Sequence, residues 1–150
     1  VVVDEYLRTT DPDIYAAGDV ANAHNPQYGR HLRVQHWANA KDQGTAAARN
    51  MLGLDEPFAK VPYFFSDQYD VGMEYSGLHR PCEYDDVVYR GDPASHEFCV
   101  FWLKAGGVIA GMNVNVWDVH SDLRAIIKSG KPIDRARLAD PSTSLADLVD

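Results

Sequence analysis

Glu97-Phe98-Cys99-Val100-Phe101-Trp102-Leu103-Lys104-Ala105-Gly106-Gly107-Val108-Ile109-Ala110-Gly111-Met112-Asn113-Val114-Asn115-Val116 is the stretch that decides the fold. Its first half is an apolar, aromatic-rich run, the composition of a buried strand. Gly106-Gly107 marks a tight hairpin turn, and Val108 to Val116 reads as the return strand. On that strand Met112, Val114 and Val116 fall on one face, with Asn113 and Asn115 on the other. An antiparallel pair is therefore predicted at the centre of this half of the chain.

The flanks extend the pattern. Val71–Ser76 and Tyr84–Arg90 read as further strands. Trp117 to Ser129 is predicted as an amphipathic helix with Val119, Leu123, Ile126 and Ile127 as its apolar stripe, stopped by Gly130. Short helical turns are expected at Arg135–Ala139 and Leu145–Val149. Strands first and helices after is an α+β order.

The first third has another character. Val1–Asp4 reads as a strand, and Ile14-Tyr15-Ala16-Ala17-Gly18-Asp19 as a buried strand of a parallel sheet that stops at Gly-Asp. Residues 21–34 read as a polar loop. Trp37 to Leu52 is predicted as an alanine-rich helix ended by Gly53. Gly53 to Pro62, with Pro57 and Pro62, is predicted as a linker. The expected organisation is a remnant of an α/β domain over residues 1–55 and a second domain over 61–150.

Composition narrows the function. The chain has 150 residues, a net charge of −8 and 45% hydrophobic residues. Such an acidic globular chain is a poor partner for nucleic acid or anionic membrane, which need a positive field. No apolar run approaches the roughly 18 residues that cross a bilayer. Cys82 and Cys99 lack metal or redox spacing, which points to two reduced thiols in a cytoplasmic protein. The start Val1-Val2-Val3-Asp4 resembles a strand already under way, so a piece of a longer protein is expected.

The most informative motif is Thr10-Asp11-Pro12-Asp13-Ile14-Tyr15-Ala16-Ala17-Gly18-Asp19-Val20. Gly18 ends a strand where the backbone approaches something closely. Asp19 follows at the carboxyl end of that strand, where ligands bind in open α/β sheets. Its carboxylate suits sugar or ribityl hydroxyls. From the Gly-Asp dipeptide alone, an aspartate capping its own turn is the more frequent reading.

The full string resembles the second FAD-binding signature of the pyridine nucleotide-disulfide oxidoreductase class. Val34-Gln35-His36-Trp37-Ala38-Asn39-Ala40 with Gln43, then Pro62-Tyr63-Phe64-Phe65-Ser66-Asp67-Gln68-Tyr69-Asp70, Arg90-Gly91-Asp92-Pro93 and Leu138-Ala139-Asp140-Pro141, are similar to the ferredoxin reductase subgroup. The resemblance covers nearly the whole chain. It implies an antiparallel C-terminal domain flanked by helices, preceded by the strand-and-helix end of an FAD-binding domain.

The same resemblance implies that Asp19 holds a ribityl hydroxyl of FAD, with Gly18 and Val20 beside it, and that Trp37 and Ala38 stand where the family touches the flavin ring. A helix N-terminus there favours negative charge on the reduced ring. A core aromatic is the other reading of Trp37. The family often has Glu where this chain has Gln35 or His36, and Trp in place of Phe65. His36 is expected to position or pack, since the cofactor carries the chemistry, and the two cysteines have no catalytic role.

The implied parent passes electrons from NAD(P)H through FAD to a ferredoxin- or rubredoxin-type iron–sulfur protein. The glycine-rich elements for the pyrophosphate and for the nicotinamide nucleotide are not in this stretch, so the fragment alone is expected to be inactive. Residues 124–137, with Arg124, Lys128, Lys131, Arg135 and Arg137 against Asp134, are a candidate docking surface for an acidic ferredoxin; a solvated helix face is the other reading. A homodimer through an open sheet edge is also a candidate. The alternatives are a free-standing interaction or dimerisation domain and an apoptosis-inducing-factor-like or nitrite-reductase-type flavoprotein.

Overall fold

A computed structural model describes residues 1–149. The contacts divide it into two units, Val1–Pro62 and the residues from Tyr63 onward.

In the first unit, β1 (Val2–Val3) runs parallel to β2 (Asn22–Asn25), which pairs antiparallel with β3 (Arg30–Leu32). The segment read as a polar loop therefore contains two strands. Asn, His and Arg are weak strand formers, but Ala23 and Leu32 face each other in register and both are buried. Ile14–Asp19 is not a parallel-sheet strand here. Tyr15 makes one antiparallel bridge to Arg8, and Gly18–Val20 is a 3-10 turn. A strand needs a neighbour along its length, and here only the short Leu7–Thr9 segment is described as pairing with it, through Thr9 N–H to the Ile14 carbonyl and Ala16 N–H to the Leu7 carbonyl.

Helix α1 (Trp37–Met51) follows. Gly53, with φ of 81°, lies beyond it and donates its N–H to the Asn50 carbonyl. Residues 53–62 fold back on the unit. Phe58 is buried with Val3, Leu7, Ala21, Ala23 and Ala47, and its N–H donates to the Glu5 carbonyl.

The second unit carries a five-stranded antiparallel sheet in the order β4 (Tyr63–Gln68), β5 (Val71–Gly77), β8 (Gly107–Val114), β7 (Glu97–Lys104), β6 (Asp86–Asp92). Strand β4 carries the Tyr63-to-Asp67 motif at a sheet edge. The hairpin between β7 and β8 turns on Ala105 and Gly106, with φ of 51° and 80°. Both central residues are left-handed, as the two-residue hairpin turn requires. Gly107 is not part of the turn but the first residue of β8, paired with Lys104.

Helix α2 (His120–Ser129) starts three residues later than its apolar pattern suggests, because Asn115 and Asp118 take left-handed backbone angles. Its Leu123, Ile126 and Ile127 are buried. Gly111 lets it approach: a Cβ there would lie 3.2 Å from Leu123 and 3.6 Å from Phe101. Leu138 of α3 (Arg135–Ala139) is also fully buried. The opposite face carries an aromatic ladder. Phe64 stacks on Tyr75 at 4.8 Å, and Tyr75 and His79 lean on Trp102.

Phe101 is completely buried beneath α2. Phe101→Ala is expected to cost about 3–5 kcal/mol. Urea denaturation followed by tryptophan fluorescence measures it, since Trp102 and Trp117 both lie in this unit.

Candidate functional site

Residues 18–20 form a single 3-10 turn closed by the Ala21 N–H on the Gly18 carbonyl, 2.9 Å. Gly18 is buried with φ of 77°, a conformation that favours glycine. A Cβ at Gly18 would stand 3.2 Å from the Ala40 Cβ, so the turn sits directly on α1. Its N–H donates to Gln43 Oε1 at 2.8 Å, and Gln43 is only 3% exposed.

The Asp19 carbonyl accepts from Arg33 Nε at 2.8 Å. The Asp19 side chain is exposed, and among the described residues its carboxylate has no hydrogen bond or ion pair. The exposed carboxylates of Asp13, Asp70 and Asp147 are likewise without a described partner, whereas other turn aspartates serve their own backbone. Asp4 accepts from the Tyr6 and Arg8 amides, Asp92 from Ala94, Asp134 from Arg137 and Asp140 from Ser142. Asp19 does not cap its own turn, because backbone partners close that turn without it. Val20 beside it is half exposed.

The helix start is capped by His36, whose Nδ1 accepts the Ala38 N–H at 3.2 Å. The Ala38 amide is thus engaged inside the chain, as is the Ala40 amide, which donates to the His36 carbonyl. Asn39 Nδ2 donates to the Val34 carbonyl and fixes the approach to the helix. Trp37 is 67% exposed, so it is no core residue of this unit, and Lys41 Nζ lies 5.2 Å from its ring centroid.

Gly18, Asp19 and Val20 are thus gathered on one turn, and α1 packs on that turn. Motif reading gave no role to Gln43, Asn50 or Arg33. For the two amides the signal lay in the helical period: Gln43, Ala47 and Asn50 share the buried face of α1.

A second polar cluster lies in the other unit. Tyr63 Oη donates to Glu74 Oε1 at 2.6 Å, Asn113 Nδ2 donates to Oε2 at 2.9 Å, and His120 Nδ1 stands 3.8 Å away. Burial, then the Glu74 hydrogen bond, pushes the Tyr63 phenol up to about 12. No group of three His, Cys, Asp or Glu among the described residues is arranged to hold a metal. No described helix is long and apolar enough to cross a membrane. The basic stretch is partly committed: Arg135 pairs with Asp86, while Arg137 and Lys131 donate to backbone carbonyls.

Comparison with known proteins bears on both units. The family described as reductase C-terminal matches residues 63–149, and the pyridine nucleotide-disulphide oxidoreductase family matches residues 1–44. A ferredoxin reductase subunit of 5,5'-dehydrodivanillate O-demethylase from a Sphingobium species is 41% identical over 99% of this chain and 36% of its own length. The ferredoxin–NAD(+) reductase component of an anthranilate 1,2-dioxygenase system from Burkholderia cepacia is 40% identical over 98% of the chain and 36% of its own length. The crystal structure of the ferredoxin reductase of the CYP199A2 system from Rhodopseudomonas palustris superposes with a TM-score of 0.90 at 34% identity, covering the whole chain and 37% of that protein. The chain therefore spans about a third of the length of the curated relatives it matches.

The two thiols should separate in reactivity. Burial pushes the Cys99 thiol up to about 11, against a smaller opposing pull from Arg90. It stays protonated through pH 8, whereas Cys82 is exposed. A thiol-specific disulfide reagent at pH 8 is expected to titrate one group per folded chain and two after denaturation.

Proposed function

Since this chain belongs to the reductase C-terminal family, we propose that it is the carboxyl-terminal third of an FAD-dependent NAD(P)H:ferredoxin oxidoreductase. Residues 1–55 are then the end of the FAD-binding domain and 61–150 the C-terminal domain. The acceptor is a ferredoxin-type iron–sulfur protein, as the names of the relatives suggest. The location is cytoplasmic.

The observation that carries this reading is the uncommitted Asp19 carboxylate on a turn whose backbone is already satisfied. An exposed carboxylate, held on a rigid turn, accepts hydrogen bonds from ribityl hydroxyls. The residues present fit that part of FAD. Gly18 brings the turn onto α1 where any side chain would crowd Ala40. At the helix start, Trp37 offers an exposed indole with the positive end of the helix dipole behind it. When bound, FAD supplies two-electron chemistry toward NAD(P)H and one-electron chemistry toward the acceptor. The chain's own residues orient it: Asp19 anchors the ribityl chain, Gly18 and Val20 shape its bed, and Trp37 with Ala38 frames the ring.

The test uses the full-length reductase. Asp19→Ala should weaken FAD binding by about 1.5–3 kcal/mol, the worth of a charge-assisted hydrogen bond. Flavin fluorescence titration of the apoprotein reads it, alongside NADH-dependent reduction of a ferredoxin. Wild-type affinity in the variant would remove Asp19 from the site.

A further inference from the structure

We infer that Gln43 is a positioning residue for the flavin site, a clamp that sets the Asp19 turn against the start of α1. The inference rests on the reading of Asp19 given above and goes one step beyond it. Gln43 touches no expected ligand group. It lies six residues after Trp37 on the same helix, nearly two turns along, and is 3% exposed. Its Oε1 accepts the Gly18 N–H at 2.8 Å.

The contact is local and directional. Gly18 follows an extended Ala17, with φ of −140°, and itself takes φ of 77°. Its N–H therefore points back into the helix, away from the exposed Asp19 side chain. The backbone bond from Ala21 N–H to Gly18 O fixes the turn's shape but not its position on α1. Position comes from two groups one helical turn apart. Ala40 sets the approach distance, and Gln43 supplies the hydrogen bond. Without the amide oxygen, the Gly18 N–H would be buried and unpaired, and the turn would shift outward to reach water. Asp19 would move with it, while the start of α1 stays in place. The carboxylate and the Trp37 end of the helix are thus held in fixed relation by an uncharged side chain.

The experiment compares variants of the full-length reductase. Gln43→Met keeps the length and burial but removes the amide oxygen. Gln43→Glu keeps an acceptor at the same reach. Ala47→Gly loosens α1 from its buried core without touching Gly18. Gln43→Met is expected to weaken FAD binding about tenfold, to change the envelope of the flavin absorption band, and to speed amide exchange in residues 14–21 of the apoprotein. Gln43→Glu is expected to recover most of the affinity, and Ala47→Gly to leave it unchanged while lowering Tm.

If Gln43→Met fails to fold, Ala40→Val tests the same contact by pressing methyl groups against Gly18. Wild-type affinity and flavin spectrum in Gln43→Met, or in Ala40→Val in that case, would overturn the clamp. So would an equal loss in Ala47→Gly, which would make the effect general destabilisation. If the wild-type reductase itself holds no FAD, the reading of Asp19 fails first and this inference falls with it.

Discussion

Helix α1 has to be held by hydrogen bonds, because it has almost nothing apolar to bury. Its sequence, Trp37 to Met51, places Gln43, Ala47 and Asn50 on the inward face. A methyl group contributes little area, so the two amides do the anchoring. Gln43 grips Gly18 at one end. Asn50 grips the other, donating to the Tyr6 and Glu56 carbonyls and accepting the Glu56 N–H. Leaving any of these buried groups unpaired costs about 1–3 kcal/mol, so the docking is specific in register as well as favourable. Small residues then become a requirement. The small Ala40 sits directly against Gly18, where the Gln43 amide comes within reach of its N–H.

The second unit is built by the opposite logic. Its core is apolar on the helix side of the sheet, with Phe101, Val88, Leu103, Leu123, Ile126 and Leu138 buried. Close packing replaces hydrogen bonds as the positioning force. The exception is the Glu74 cluster, whose carboxylate is paired with Tyr63 and Asn113. A carboxylate with its oxygens satisfied can sit there at tolerable cost. It ties β4 at the sheet edge to β5 and β8, and so holds the Tyr63-to-Asp67 motif in place.

The legibility of the chain follows the same division. The apolar unit could be read closely: the β7–β8 hairpin, the stripe Leu123, Ile126 and Ile127, and short α3 all rest on periodicity, which sequence displays directly. The first unit could not. Residues 22–25 and 30–32 form strands because Ala23 and Leu32 have a core to enter, a tertiary fact absent from their propensities. Ile14–Ala17 looks like a strand by composition, yet a strand is a pairing, and within the first unit this one has a single bridge. The start of α2 moved because Asn115 and Asp118 adopt left-handed angles, which composition permits but does not demand. In the candidate site, Gly18, Asp19 and Trp37 were legible as a motif. Gln43 lies within the same motif, but a glutamine in a polar helix looks like any solvated side chain.

What distinguishes Asp19 is therefore not its sequence neighbourhood but who satisfies the backbone around it. At Asp4, Asp11, Asp92 and Asp134 the aspartate serves its own turn's backbone, and the side chain is consumed by the fold. Around Asp19 that work is delegated. Gln43 takes the Gly18 N–H from twenty-five residues away, Arg33 takes the Asp19 carbonyl from fourteen, and the turn closes on itself. Each long-range bond relieves the carboxylate of a structural duty. A turn stabilised from outside is rigid without spending its own charge, and that is the condition for a carboxylate to be both fixed in space and available to a ligand.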